Sequence, residues 1–170
     1  MTAKSSLPYR PCVGVMLVNA DAHVFVGRRA DRPGAAEGVG QWWQMPQGGL
    51  DEGEDPEAGA RRELEEETGV RRARFIARSR DWYSYDLPPG LVGTIWQGRY
   101  RGQRQLWFAA RFEGDESEID LGPKPGHVRE FDAYRWVPLD VLATLVVPFK
   151  RHVYEGVIGE FEPLVLAGRA

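Results

Sequence analysis

The stretch Gly48–Val70 reads GGLDEGEDPEAGARRELEEETGV, and the rest of the chain is best read outward from it. Asp55 suits a helix N-cap, because its carboxylate can accept from the first unpaired backbone N–H groups. Pro56 suits the first helical position, where a backbone N–H has no partner anyway. Gly69 can end the helix in a left-handed conformation. At 100° per residue with Ala60 as origin, Glu63 falls at about 300°, Glu66 at about 240° and Glu67 at about 340°. Leu64, at about 40°, joins Ala60 in a narrow apolar stripe. Three carboxylates therefore share one arc of roughly 100°, with Glu67 against the buried side.

Such an arc needs a partner. Like charges four residues apart cost roughly 0.2–0.5 kcal/mol per pair when exposed, and more when half-buried. A divalent cation removes that cost, and hard oxygen ligands on one rigid face suit Mg²⁺ or Mn²⁺. The competing expectation is a solvated helix laced by Arg61 and Arg62, with a Glu57–Arg61 pair.

The spacing decides between them. Gly48 is followed after five residues by Glu54, and after seven more by Arg62-Glu63-Leu64; Glu66-Glu67 and Gly69-Val70 complete the pattern. These positions fill every fixed place of the Nudix box, and the sequence resembles the Nudix hydrolases. That resemblance implies an α+β domain with the Nudix fold, an α/β/α sandwich around a mixed sheet. It also implies hydrolysis of a nucleoside-linked diphosphate at more than one divalent cation. Glu63, Glu66 and Glu67 would hold the cations, with the Gly49 carbonyl as a further ligand. Glu63 or Glu67 would take the proton from the attacking water. Arg62, at about 200° on the wheel, is expected to face away from the acidic arc and pair with Glu54. Glu130, in the setting Glu130-Phe131-Asp132, is expected as an extra ligand or base.

Composition sets limits on the rest. With 42% hydrophobic and 28% charged residues, 170 residues make one ordinary globular domain. A net charge of −3 argues against a long grip on nucleic acid. The lone Cys12 rules out an internal disulfide framework. The chain has no apolar signal core and no membrane-length apolar run, so a soluble cytoplasmic protein without a membrane partner is expected.

In chain order, residues 1–8 read as a flexible tail and 9–165 as the Nudix domain. Cys12–Val18 reads as a buried strand and His23–Arg28 as its hairpin partner across Asn19-Ala20-Asp21. Residues 30–41 read as a loop. Strands are expected at Arg71–Arg80, Gln105–Phe112 and Glu130–Trp136, and a short helix from Pro138. Phe149, Val153, Val157 and Phe161 sit at helical spacing. The prolines of Asp81–Pro89 break that aromatic stretch, and Arg99, Arg101 and Arg104 read as a basic loop.

Outside the box, Tyr9-Arg10-Pro11, Trp43-Gln44-Met45-Pro46-Gln47-Gly48-Gly49, Gln103–Phe108 and Phe149-Lys150-Arg151 are similar to one Nudix branch. That branch holds the bacterial RNA 5′-pyrophosphohydrolases and the dinucleoside tetraphosphate hydrolases. The resemblance implies a 5′-triphosphate RNA or dinucleoside polyphosphate substrate. RNA is the first expectation and diadenosine tetraphosphate, cut to ATP and AMP, the second; a nucleotide-sensing module without turnover is a third. Arg10, Arg28, Phe149 and Lys150 would bind the substrate, Phe149 by stacking on a base.

Overall fold

The computed structural model describes residues 6–30 and 42–168. Its strands are β1 (Tyr9–Val18), β2 (Val24–Arg29), β3 (Trp43–Gln44), β4 (Gln47–Gly49), β5 (Ala73–Arg78), β6 (Tyr83–Asp86), β7 (Gly102–Phe112) and β8 (Phe131–Val137). The helices are α1 (Pro56–Thr68), α2 (Leu139–Leu145) and α3 (Arg151–Ala167). The expected loop at 30–41 lies, beyond Ala30, outside the described residues.

One mixed sheet runs β3-β2-β1-β7-β5, with β4 also paired to β1, β6 to β7 and β8 to β2. β1 and β7 pair in parallel from Tyr9↔Gly102 to Val18↔Arg111, and the other ladders are antiparallel. The apolar run of β1 does not alternate with polar residues because both its faces are covered. Val13, Val15 and Leu17 pack with Ala60 and Leu64 of α1, beside Phe25, Phe108 and Phe131. Met16 and Val18 pack with Trp107, Leu142, Tyr154, Val157 and Phe161 under α2 and α3. The result is the expected α/β/α sandwich. Gly14 is where the Trp107 ring lies against β1, and a Cβ there would stand 2.6 Å from the ring.

The caps of α1 are those expected. Asp55 accepts from the Ala58 N–H at 3.0 Å, Pro56 opens the helix, and Gly69 closes it at φ 78°. Other readings need correction. Tyr83–Asp86 forms a strand, since Pro88 and Pro89 follow it rather than interrupt it. Arg104 belongs to β7, where it stacks on Trp82, and Arg101 forks onto Asp86; the three arginines are not one basic loop. Leu7 packs on the core, so ordered contacts begin inside the stretch read as tail. Phe149 lies in a 3₁₀ turn (Pro148–Lys150) before α3, whereas Val153, Val157 and Phe161 form the buried stripe of the helix.

Candidate active site

A cavity of about 510 Å³ opens where α1, β4, the first residues of β1 and β7, and the approach to β8 meet. Glu63, Glu66, Glu67 and Glu130 line it, as do Arg10, Arg29 and Lys150, with Gln44, Gln47 and Gln103 between the charged groups in chemistry. The packing of Ala60 and Leu64 into the core turns the acidic arc of α1 toward this space.

Glu67 is the most constrained of the acids. The Gln47 backbone N–H donates to its Oε2 at 3.1 Å. Burial drives its carboxyl well above the ordinary range, and the charges of Glu130 and Glu63 push it further. Burial also raises Glu63, against the pull of Arg62. Burial, reinforced by Arg29, lowers the Lys150 ammonium to about 8, while Glu130 pulls it back. His127 Nε2 stands 3.6 Å from Glu66 Oε1.

Arg62 does not face away from the acidic arc. Its Nε and Nη2 fork onto Glu54 at 2.8 Å each, as expected, and Nη2 also donates to the Gly49 carbonyl at 2.9 Å. Its Nη1 then reaches Glu63 at 2.8 Å and Glu66 at 3.2 Å. On the wheel Arg62 already lies only about 40° from Glu66, its i,i+4 neighbour, and the length of the guanidinium side chain carries Nη1 on to Glu63. The expected Glu57–Arg61 pair forms as well, at 2.9 Å on the exposed side. The Gly49 carbonyl proposed as a metal ligand is thus a hydrogen-bond acceptor from Arg62.

The Arg62 fork holds the Glu54 carboxyl down at about 2. The folded value lies below the ordinary one, so this pair stabilises the fold fully above about pH 4.5 and loses that contribution as pH falls toward 2. Thermal melts of the wild type and Glu54→Gln should differ most near neutral pH and converge on acidification. A gap constant with pH would show that the carboxylate charge contributes nothing.

A sequence model of the NUDIX domain matches residues 8–157. The chain belongs to the Nudix family. It is 54% identical over 166 residues to a protein of Brucella ovis named RNA pyrophosphohydrolase, covering 96% of this chain and 93% of that one. It is likewise 54% identical to an RNA pyrophosphohydrolase of Agrobacterium fabrum, covering 96% and 98%. Among solved structures, the E. coli dihydroneopterin triphosphate pyrophosphohydrolase shares the fold, with a TM-score of 0.63 at 20% identity over 88% of this chain and 96% of that one.

Nudix hydrolases generally use divalent metal ions, and the donor set here fits one. All four acids offer hard oxygens, and their crowding around Glu67 is the repulsion a cation relieves. Among the described residues, no three acidic, histidine or cysteine side chains stand close enough to grip one ion as they are. Arg62 occupies Glu63 and Glu66 instead.

Of the residues expected from sequence, the Nudix fold brings Arg10, Gly49, Glu63, Glu66, Glu67, Glu130 and Lys150 to the cavity. Arg28 is not among its lining residues; its Nε bonds Asp132 at 2.7 Å and its guanidinium faces Trp43. Arg29 lines the cavity instead, next to a register shift in the β2–β8 ladder. Adjacent strand residues ordinarily point to opposite faces, and at this register shift the motif alone does not say which arginine meets the cavity. Phe149 stands just behind the lining, 5.6 Å from the Tyr85 ring, which does line the cavity. Sequence reading also gave no role to Gln103, Trp96 and His127, all of which line it. No helix among the described residues is long and apolar enough to cross a membrane.

Proposed function

We propose that this protein is an RNA 5′-pyrophosphohydrolase that converts 5′-triphosphate ends to 5′-monophosphate ends with Mg²⁺ or Mn²⁺. The observation that carries this reading is one cavity lined by both the four glutamates and three cations, Arg10, Arg29 and Lys150. A polyphosphate needs both: cations to hold its oxygens, and carboxylates to hold metal and accept a proton. The near full-length likeness to proteins named RNA pyrophosphohydrolase supports RNA as the nucleoside-bearing part.

Glu63, Glu66, Glu67 and Glu130 are the residues that would hold the cations. When bound, a divalent cation neutralises phosphate oxygens and lowers the pKa of water. Glu67 is the better placed of the two candidate proton acceptors. The Gln47 N–H fixes one of its oxygens, which leaves the other for water in the cavity. Arg10, Arg29 and Lys150 bind the phosphates that are not being cut. Phe149, tilted against Tyr85 beside Lys150, would offer together with that ring an aromatic platform for a base, worth about 1–3 kcal/mol. Arg28 bonds Asp132 and is not among the lining residues, so Arg29 takes its place in this reading.

The test is a competition between substrates. With Mg²⁺ or Mn²⁺, kcat/KM for triphosphorylated RNA should exceed that for diadenosine tetraphosphate at least tenfold, and a chelator should abolish both activities. A preference for the dinucleotide would move the assignment to asymmetric tetraphosphate cleavage. Binding without turnover of either would make the domain a sensor.

A further inference from the structure

Three buried side chains, Trp107, Gln105 and Gln103, and the half-buried Gln47 form a directed chain between the core and the cavity. The Trp107 indole N–H donates to Gln105 Oε1 at 3.1 Å. Gln105 Nε2 donates to Gln103 Oε1 at 2.7 Å and to Gln47 Oε1 at 3.3 Å. The oxygen and nitrogen of a carboxamide are close in shape, but an indole N–H can only donate. Trp107 therefore fixes Gln105 with its oxygen inward. Both protons of the Gln105 amide are then used, one on each neighbouring glutamine. Gln103 and Gln47 must each turn an oxygen toward Gln105, and so must present NH₂ to the cavity they line.

Gln103 and Gln105 are each 2% exposed. Among the described residues, no protein acceptor takes a hydrogen bond from the NH₂ of Gln103 or of Gln47. Neither Nε2 is a buried atom left unpaired, so both are reached from the cavity and stand open to an acceptor that enters it. Gln103 sits in register with Arg10 on one side and Tyr85 on the other. Its donor therefore adjoins the cations of the cavity, where an acceptor-only anion belongs.

We infer that Gln103 and Gln47 form a neutral donor subsite for phosphate oxygens of the substrate, and that Gln105, wired to Trp107, is the positioning residue that sets its polarity. This rests on the polyphosphate reading above and deepens it. A carboxamide donates to a phosphate oxygen without adding charge, so it favours a substrate oxygen over a stray cation near the glutamates.

Side-chain amide NMR of the Mg²⁺-loaded protein tests it, with inorganic tripolyphosphate as the probe. The Gln103 and Gln47 NH₂ signals should shift on titration, while the Gln105 NH₂ stays unshifted and slow to exchange. Gln105→Glu keeps an acceptor for Trp107 but offers no donor, so both neighbouring amides must reverse. Its KM for triphosphorylated RNA should rise about tenfold or more with kcat within about threefold. Trp107→Phe removes the fixed donor without adding charge and should raise KM about threefold. A Gln105 NH₂ that shifts while Gln103 stays protected would overturn the inference, as would a KM unmoved in both variants. If the wild type fails to cut RNA yet Gln103 shifts with tripolyphosphate, the RNA assignment falls and the subsite stands.

Discussion

Glu67→Gln is expected to lower kcat by about three orders of magnitude while the protein stays folded, and without metal slightly more stable than the wild type. Gln keeps the shape, and its side-chain oxygen can still accept from the Gln47 N–H. The charge is what is lost. A carboxyl driven up by burial, Glu130 and Glu63 is one whose ionised form the fold disfavours. At neutral pH the folded wild type therefore carries an electrostatic cost that the amide variant does not. Groups that oppose stability in this way mark functional sites. A divalent cation should reverse the order, raising the melting temperature of the wild type more than that of the variant. The size of the kcat loss follows from the two roles proposed for Glu67, metal ligand and proton acceptor, being removed together. Turnover within tenfold of wild type would take Glu67 out of the chemistry. A large fall in melting temperature without metal would make it a structural residue.

That experiment probes the part of the site that was most legible in the sequence. The acidic arc, the caps at Asp55 and Gly69 and the Ala60–Leu64 stripe are local to one helix, where a period of 3.6 residues and a fixed spacing carry the information. The unbroken apolar run of β1 told of a strand covered on both faces, as it is. What failed to show was set by tertiary placement. Whether Arg28 or Arg29 reaches the cavity depends on strand register near a bulge, which two adjacent arginines do not reveal. Gln105 opened the expected strand, Gln103 lay before it, and neither was given a role of its own. Their meaning comes from Trp107 on the same face of β7 and Gln47 on another strand. The pairing of Arg62 with Glu66 was open to reading from their i,i+4 spacing, whereas its reach to Glu63 was hidden because a helical wheel carries no side-chain length.

Arg62→Lys is expected to cut kcat about a hundredfold and to destabilise the fold by about 1.5–3 kcal/mol, although the positive charge is kept. Arg62 ties three things at once: Glu54 in the loop, the Gly49 carbonyl of β4, and Glu63 and Glu66 on α1. A lysine ammonium can meet one carboxylate but has no planar fork to span the loop and the helix together. The loop from Gln47 to Glu54 would then lose its tether, and with it the Gln47 N–H that orients Glu67. Displacing a reacting group by about 1 Å can cost about a hundredfold in rate. KM should change little, since Arg10, Arg29 and Lys150, the residues proposed to hold the phosphates, lie on other elements. The same substitution frees Glu63 and Glu66 from a guanidinium that competes with metal. Calorimetric titration with Mn²⁺ should therefore show binding that is no weaker than in the wild type, even as turnover collapses. A variant that lost metal affinity and kept its kcat on saturating Mn²⁺ would show that Arg62 acts on the ligands alone and does not position Glu67.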